Sequence, residues 1–433
     1  MKALVFDKSK SEWDSSRGFE LVDVPEPVLG AGDEDKIILK VHYAGVCGTD
    51  KGIWNRQAFK DAILGSIDAE NIPPQSPLIL RGEGMEIPPL IHKRGLGGDI
   101  KKSYRIIGHE FFGEVTQVGS AVGNIKPGDF VTCESHVVCK KCYQCQHGQK
   151  NVCINEKILG ISVDGGFAEY AKVPAQVVWK INTEKIRPEV AAMQEPFGNA
   201  VHAASKVDVR GKTVAIFGLG PIGMFLTLIV KGLGASVIIG VEPNPIAADM
   251  AKKLGIDYVI PLKNIPPQSP LKIRGEGMEV PPLIHKRGLG GDIKSYAHDL
   301  SVIDEIKKIT NGLGVDVAFE MAGFNNSVNN AIASVRRGGE VILFGLKNGD
   351  FVLEDYNRLV MKGITCYFVA GRQIWETWET TRRLMEDATN GVQEKLFNVI
   401  LDRGSGTILP IQEYNKEKFE EMMSKHPKFL IQF

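Results

Sequence analysis

The sequence predicts an α/β protein in two parts, one β-rich and one built on a doubly wound parallel sheet. Three stretches carry this. Four of the seven cysteines fall within Cys139–Cys153, a glycine turn at 218–223 joins a strand-like run to a helix-like one, and the first fifty residues alternate in short β-like stretches. At 433 residues the chain has room for two domains with sizeable cores. Lys+Arg and Asp+Glu are both 52, so no net field points to nucleic acid or to an anionic membrane as a partner. The N-terminal MKALVFDKSK carries a charge at Asp7 and lacks the apolar run of a secretory signal, which leads to the expectation of a cytoplasmic protein.

In chain order, Lys2–Phe6, Phe19–Val22 and Lys36–His42 read as strands, separated by Pro25-Glu-Pro27 and Gly30-Ala-Gly32. They lead into Cys47-Gly-Thr49-Asp50, followed later by Gly108-His109-Glu110 and Gln194-Glu195-Pro196. Cysteine, histidine and carboxylate from separate segments, with one position left open, are what a catalytic zinc requires. Each alone has a plainer reading, Cys47 as a small core side chain and His109 as a hydrogen-bonded buried histidine. Cys139, Cys142, Cys145 and Cys153 form a second set. Their x2–x2 spacing lets three thiolates converge from one loop, and the residues between them are polar, unlike a core or a disulfide framework. A closed four-sulfur site performs no chemistry, so it marks a scaffold.

The run from Thr213 to Val230 is almost wholly apolar and long enough to raise the question of a membrane span. Its glycines give the better reading: Thr213–Phe217 as a strand, Gly218-Leu-Gly220-Pro221-Ile222-Gly223 as a dinucleotide turn, and Met224–Leu233 as a helix. The first glycine makes the turn, the second lets a pyrophosphate approach the backbone, and the third lets helix and strand pack. The helix N-terminus then offers free N–H groups to the phosphates. Glu242 follows the next strand, Ser236–Val241. A carboxylate there accepts from both ribose hydroxyls and repels a 2′-phosphate; with Pro243 and Asn244 after it and no arginine near, NAD is favoured over NADP. Val315–Glu320 and Glu340–Gly345 continue the parallel sheet.

Cys47-Gly-Thr-Asp, Gly108-His-Glu-Phe-Phe-Gly113-Glu-Val115, the four-cysteine loop, Gly165-Gly-Phe-Ala-Glu-Tyr170 and Gly218-Leu-Gly-Pro-Ile-Gly223 occur in the order of zinc-dependent medium-chain dehydrogenases, which the chain resembles over nearly its whole length. Within them, Glu195-Pro-Phe-Gly-Asn-Ala-Val-His202 and Gly371-Arg-Gln-Ile-Trp-Glu-Thr-Trp378 look most like L-threonine 3-dehydrogenases. The resemblance implies a GroES-like catalytic domain at residues 1–198 and 346–433, and a Rossmann NAD-binding domain at 199–345. It implies one catalytic and one structural zinc, a small-molecule secondary alcohol as substrate, and a homo-oligomer, either tetramer or dimer. It also implies that Cys47, His109 and Glu110 are the catalytic zinc ligands, with Glu195 a fourth ligand or exchange partner and Thr49 the hydroxyl that starts a proton relay. The sequence departs from the pattern at Gly52, where threonine and polyol dehydrogenases usually carry the next relay histidine. His136 and His202 are candidates to replace it, or hydrogen-bonded structural residues. Some zinc sugar dehydrogenases lack that histidine too, so polyol or sugar oxidation stands as the alternative to L-threonine. Cys133 and Cys366 read as packing, as do Trp375 and Trp378, while Arg372 and Glu376 are polar enough to interest a substrate.

One signal lies outside this pattern. Asn71–Tyr104 recurs as Asn264–Tyr296, differing at Ile79/Lys272, Leu80/Ile273, Ile87/Val280 and one extra lysine. Two copies in unrelated contexts, with Pro-Pro pairs and no 3.6 or 2 period, read as surface inserts and not as a folding repeat. A duplicated basic loop using His92/Lys93/Arg94 and His285/Lys286/Arg287 is the alternative. The first insert ends shortly before His109, so a non-catalytic NAD-binding remnant, disarmed by that insert, is the competing function.

Overall fold

The computed structural model describes residues 1–70, 102–262, 298–346, 351–353 and 356–433. The duplicated segments lie outside the described residues, apart from Lys102–Tyr104 at the end of the first copy. There Tyr104 opens the strand Tyr104–Ile106, paired antiparallel with Lys2–Asp7. The chain divides into two compact units, Met1–Glu195 with Arg382–Phe433, and Pro196–Thr381.

The first unit is organised on the strand Lys36–Val46, whose alternate residues Ile37, Leu39 and Val41 are fully buried. This strand pairs antiparallel with Glu110–Val118, with Tyr170–Pro174 and with Phe429–Gln432 in a seven-stranded sheet. The registers do the positioning. Gly45 lies opposite Glu110, and Val46 opposite Phe429. Cys47, Glu110 and Lys428 are thereby brought to one end of the sheet although their sequence separations are long. Beneath it Trp54 stacks on Phe419 with ring centroids 4.7 Å apart.

The second unit holds a six-stranded parallel sheet in the order Tyr258–Ile260, Val237–Val241, Thr213–Phe217, Val315–Glu320, Val335–Leu343, Thr365–Phe368. The strand order reverses between Thr213–Phe217 and Val315–Glu320, the switch point at which such sheets bind ligands. Val214, Ile216 and Phe217 are buried, each stabilising by roughly 1.5–3 kcal/mol relative to exposure. The helix Pro221–Gly232 follows, with Gly223 through Val230 all buried. The apolar run is therefore a central strand and a core helix, and among the described residues no helix is long and apolar enough to cross a membrane. The sheet continues past Gly345, because Thr365–Phe368 adds a sixth strand, so the second unit closes at Thr381.

Candidate functional site

Cys47 follows the strand Lys36–Val46 and caps the short helix Gly48–Trp54. Asp50, at the third helical position and fully buried, accepts from the Cys47 backbone N–H at 2.9 Å and from its thiol at 3.0 Å. His109 is aimed at the same point by Gly108. That residue has φ +89°, and a Cβ on it would lie 2.1 Å from the Phe167 ring, so only glycine passes there. His109 Nε2 lies 3.2 Å from Cys47 Sγ, and His109 Nδ1 lies 3.9 Å from Asp50 Oδ1. Thiol, imidazole and carboxylate atoms all fall within 4.8 Å of one another.

This donor set suits zinc. Tetrahedral bonds of about 2.3 Å to sulfur and 2.0–2.1 Å to nitrogen set an S···N separation of about 3.6 Å, close to that seen. His109 Nδ1 and Asp50 Oδ1 are buried without a hydrogen-bond partner among the described residues. Buried orphaned polar atoms facing one another are what a bound cation and its oriented ligands would satisfy. Burial, with the charges of Asp50 and Glu110, pushes the Cys47 thiol well above its ordinary range. A cation is therefore needed to draw it to thiolate.

Glu110 stands apart from that trio. It is almost fully buried, and its Oε2 meets the ammonium of Lys428, itself fully buried. A Cβ on Gly45 would fall 2.5 Å from the same oxygen, so the close approach depends on glycine. Burial pushes the Glu110 carboxyl up and the Glu195 charge adds to this, while Lys428 pulls it down. Glu195 is buried in the first turn of the helix Gln194–Ala204. Thr49 is half-buried in the first turn after Cys47. Gly52 is packed tightly, since an added Cβ would lie 3.0 Å from Ala58 Cβ. Lys51 donates to the Met423 carbonyl at 3.0 Å.

The two substitute histidines are engaged elsewhere. His136 Nδ1 lies 3.0 Å from Glu134 Oε1, and His202 Nδ1 lies 2.8 Å from the Gly371 carbonyl. Arg372 is buried and donates to Asn199 at 3.0 Å, Trp378 is buried, and Glu376 is exposed. Sequence reasoning missed Asp50 and Lys428. The first carried a signal, an acid three residues past Cys47 in capping-box position; the second carried none.

Cys139, Cys142, Cys145 and Cys153 also converge within 4.8 Å. Sγ–Sγ separations of 3.5 Å (Cys139–Cys153) and 3.8 Å (Cys142–Cys153) match the roughly 3.8 Å edge of a zinc–sulfur tetrahedron. Lys140 turns the chain with φ +60°, which aims the N–H groups of Lys141 and Cys142 at Cys139 Sγ. These bonds lower the Cys139 thiol to about 6, whereas burial and the neighbouring cysteines push Cys145 up to about 12.

At the head of the parallel sheet, Gly218 has φ +92°, and a Cβ on Gly223 would meet the Gly218 carbonyl oxygen at 2.1 Å. Gly220 caps the helix Pro221–Gly232 with Pro221 and Ile222 in its first turn, and a Cβ on Gly220 would meet nothing within 4 Å. Glu242 is buried at the end of Val237–Val241 and accepts from the N–H groups of Leu219 at 2.6 Å and Asn244 at 2.8 Å. It ties the turn to the second strand and keeps lone pairs for further donors.

Two family models match the chain: the alcohol dehydrogenase GroES-like domain over residues 89–183, and zinc-binding dehydrogenase over 289–387. L-threonine 3-dehydrogenase from Pyrococcus horikoshii is 35% identical over 371 residues, covering 85% of this chain and 84% of that protein. The enzyme of the same name from Bacillus licheniformis is 29% identical over 425 residues, covering 98% and 96%. Among solved structures, an alcohol dehydrogenase from Thermus sp. superposes with a TM-score of 0.69 at 21% identity, over 100% of this chain and 99% of that one. A 2R,3R-butanediol dehydrogenase from Bacillus subtilis gives 0.67 at 22%, over 100% and 99%. These structural likenesses speak to the fold.

Proposed function

We propose, because the chain belongs to the zinc-binding alcohol dehydrogenase family and is an oxidoreductase of it, that it oxidises a secondary alcohol to a ketone with NAD, and that the alcohol is L-threonine, giving 2-amino-3-oxobutanoate. The single observation that supports this reading best is the meeting of Cys47 and His109 at 3.2 Å over a buried Asp50. The relatives named as L-threonine 3-dehydrogenases support the substrate. The same reading makes the first unit the zinc-bearing catalytic domain and the second the NAD domain of a cytoplasmic homo-oligomer, dimer or tetramer.

Cys47 and His109 would hold a zinc ion, with Glu110 and Glu195 in reserve as carboxylate donors beside them. Once bound, the ion supplies Lewis acidity to the alcohol oxygen and the nicotinamide supplies a hydride acceptor. The chain does the rest. Asp50 fixes Cys47 through its backbone N–H and faces the free nitrogen of His109, which orients both donors. Lys428 supplies the countercharge that lets Glu110 remain buried. Thr49 Oγ1 accepts the alcohol proton and passes its own outward, to water, because Gly52 offers no imidazole. Gly218, Gly220 and Gly223 bring the backbone to the pyrophosphate at the helix start with Pro221 and Ile222, and Glu242 accepts from the adenosine ribose. Cys139, Cys142, Cys145 and Cys153 hold the second zinc and take no part in the chemistry.

The glycine at 52 favours a second reading, oxidation of a polyol or sugar, since no imidazole continues the relay there. A substrate panel followed by NADH absorbance separates the two. Turnover of L-threonine above that of vicinal diols is expected. Silence with both, in protein that carries its full zinc, would remove the substrate class.

A further inference from the structure

Glu320 ends the strand Val315–Glu320 and is paired in register with Phe217, the residue before the glycine turn. It is fully buried. One carboxyl oxygen, Oε1, accepts from the N–H groups of Ala322 and Gly323 and from the Ser327 hydroxyl, each at 2.8 Å. The other, Oε2, is buried and lies against Gly345, whose backbone N–H is the donor on that side and on which a Cβ would sit 2.6 Å away. The Glu320 backbone oxygen accepts from Phe344 and Gly345. Around it three segments close on one another without side chains between them. A Cβ on Gly218 would lie 2.8 Å from Ala322 Cβ, one on Gly323 2.2 Å from the Leu346 carbonyl oxygen, and one on Gly345 2.2 Å from the Gly323 nitrogen.

A fully buried carboxyl costs a fold more than an apolar residue in the same place, so its presence calls for a use. Its place supplies one. If the adenosine half of a dinucleotide follows Glu242 at the end of the second strand, and the pyrophosphate sits at the start of Pro221–Gly232, the nicotinamide half has to run across the switch point. It then lies over the loops that follow Val315–Glu320 and Val335–Leu343. Those are the loops that Glu320 gathers. We propose that Glu320 is the positioning residue of the nicotinamide half of this crevice, its side chain setting the height of residues 321–323 and 344–346 against the glycine turn. This rests on the NAD reading above. Burial also pushes the carboxyl above its ordinary range, and Gln keeps the side chain's shape and the one oxygen that accepts from Ala322, Gly323 and Ser327.

The test is fluorescence titration with NADH, with ADP-ribose as the ligand lacking the nicotinamide, on wild type, Glu320→Ala, Glu320→Gln and Ser327→Ala. Glu320→Ala is expected to weaken NADH by about tenfold or more while ADP-ribose binding stays within about twofold. Glu320→Gln is expected to restore NADH to within about threefold, and Ser327→Ala, which removes one donor and spares the fold, to weaken NADH alone by about threefold. NADH affinity unchanged in both alanine variants would overturn the proposal. So would an equal loss of NADH and ADP-ribose, or a Gln variant as weak as the Ala one. A wild type that binds no NADH would overturn the cofactor reading and this inference with it, whereas the other failures leave NAD binding standing.

Discussion

The two candidate metal sites of the first unit are built in opposite ways. The loop site draws four thiols from fifteen consecutive residues, and its backbone amides bind the sulfur of Cys139 directly. The Cys47–His109 site draws on residues 62 positions apart in sequence and leans on Lys428, which lies 318 positions from its partner Glu110. It has buried carboxylates around it where the loop has solvent. A site assembled locally can hold its ion with little help from the rest of the fold. A site assembled by strand register depends on every pairing that brings its parts together, and gains buried surroundings in which a charge acts more strongly than in water.

That contrast is broken most readily by removing one ligand from each. Cys47→Ser or His109→Ala is expected to lower NAD reduction by about a thousandfold or more, some 4 kcal/mol of barrier, with little change in melting temperature. A variant that keeps activity within tenfold would erase the distinction. Lys428→Met comes next, since it leaves Glu110 buried without its countercharge. Its cost is about 3–5 kcal/mol of unfolding free energy in a urea titration. Stability equal to wild type would mean that the pair carries no such burden.

How much of this was legible in the sequence follows the same contrast. The four-cysteine loop could be read outright, because its ligands are neighbours and chain spacing nearly fixes their separation. The glycine turn could be read too, as Gly218 with its positive φ and Gly223 with its close approach to the Gly218 carbonyl each answer to a local constraint. Cys47 and His109 were legible as residue types, but their meeting point depends on Gly108 and on antiparallel register, which no short window contains. Asp50 stood in view next to Thr49, and only the helix cap shows it turned back on Cys47. The Glu110–Lys428 pair was invisible because Val46 opposite Phe429 is a tertiary fact. The sixth parallel strand was missed for a related reason: Thr365–Phe368 is mostly exposed and lacks the apolar run of the inner strands.

Two smaller effects sharpen the comparison. Cys145→Ser should cost about 2 kcal/mol, seen as a fall of several degrees in melting temperature, while leaving turnover below that temperature within about twofold. A loop variant that folds normally yet loses turnover would make the loop part of the chemistry. The smallest effect is at Asp33, which precedes the strand carrying Cys47 to its place. Burial raises its carboxyl, but bonds from Lys172, Lys36 and the Gly30 N–H outweigh this and hold it well below the usual range. A folded-state pKa below the unfolded one gives stability that is present above about pH 4 and is lost as pH falls below it. Asp33→Asn should therefore flatten the acid limb of a stability–pH curve. An unchanged limb would remove Asp33 from the acid response.

The most direct measurement is zinc per chain, by metal analysis of wild type, Cys47→Ser and Cys145→Ser. If Cys47 and His109 enclose a zinc separate from that of the loop, wild type carries two, and each variant carries one. A wild type with a single zinc that survives Cys47→Ser and is lost in Cys145→Ser would contradict the catalytic centre and leave a chain that keeps only its scaffold metal.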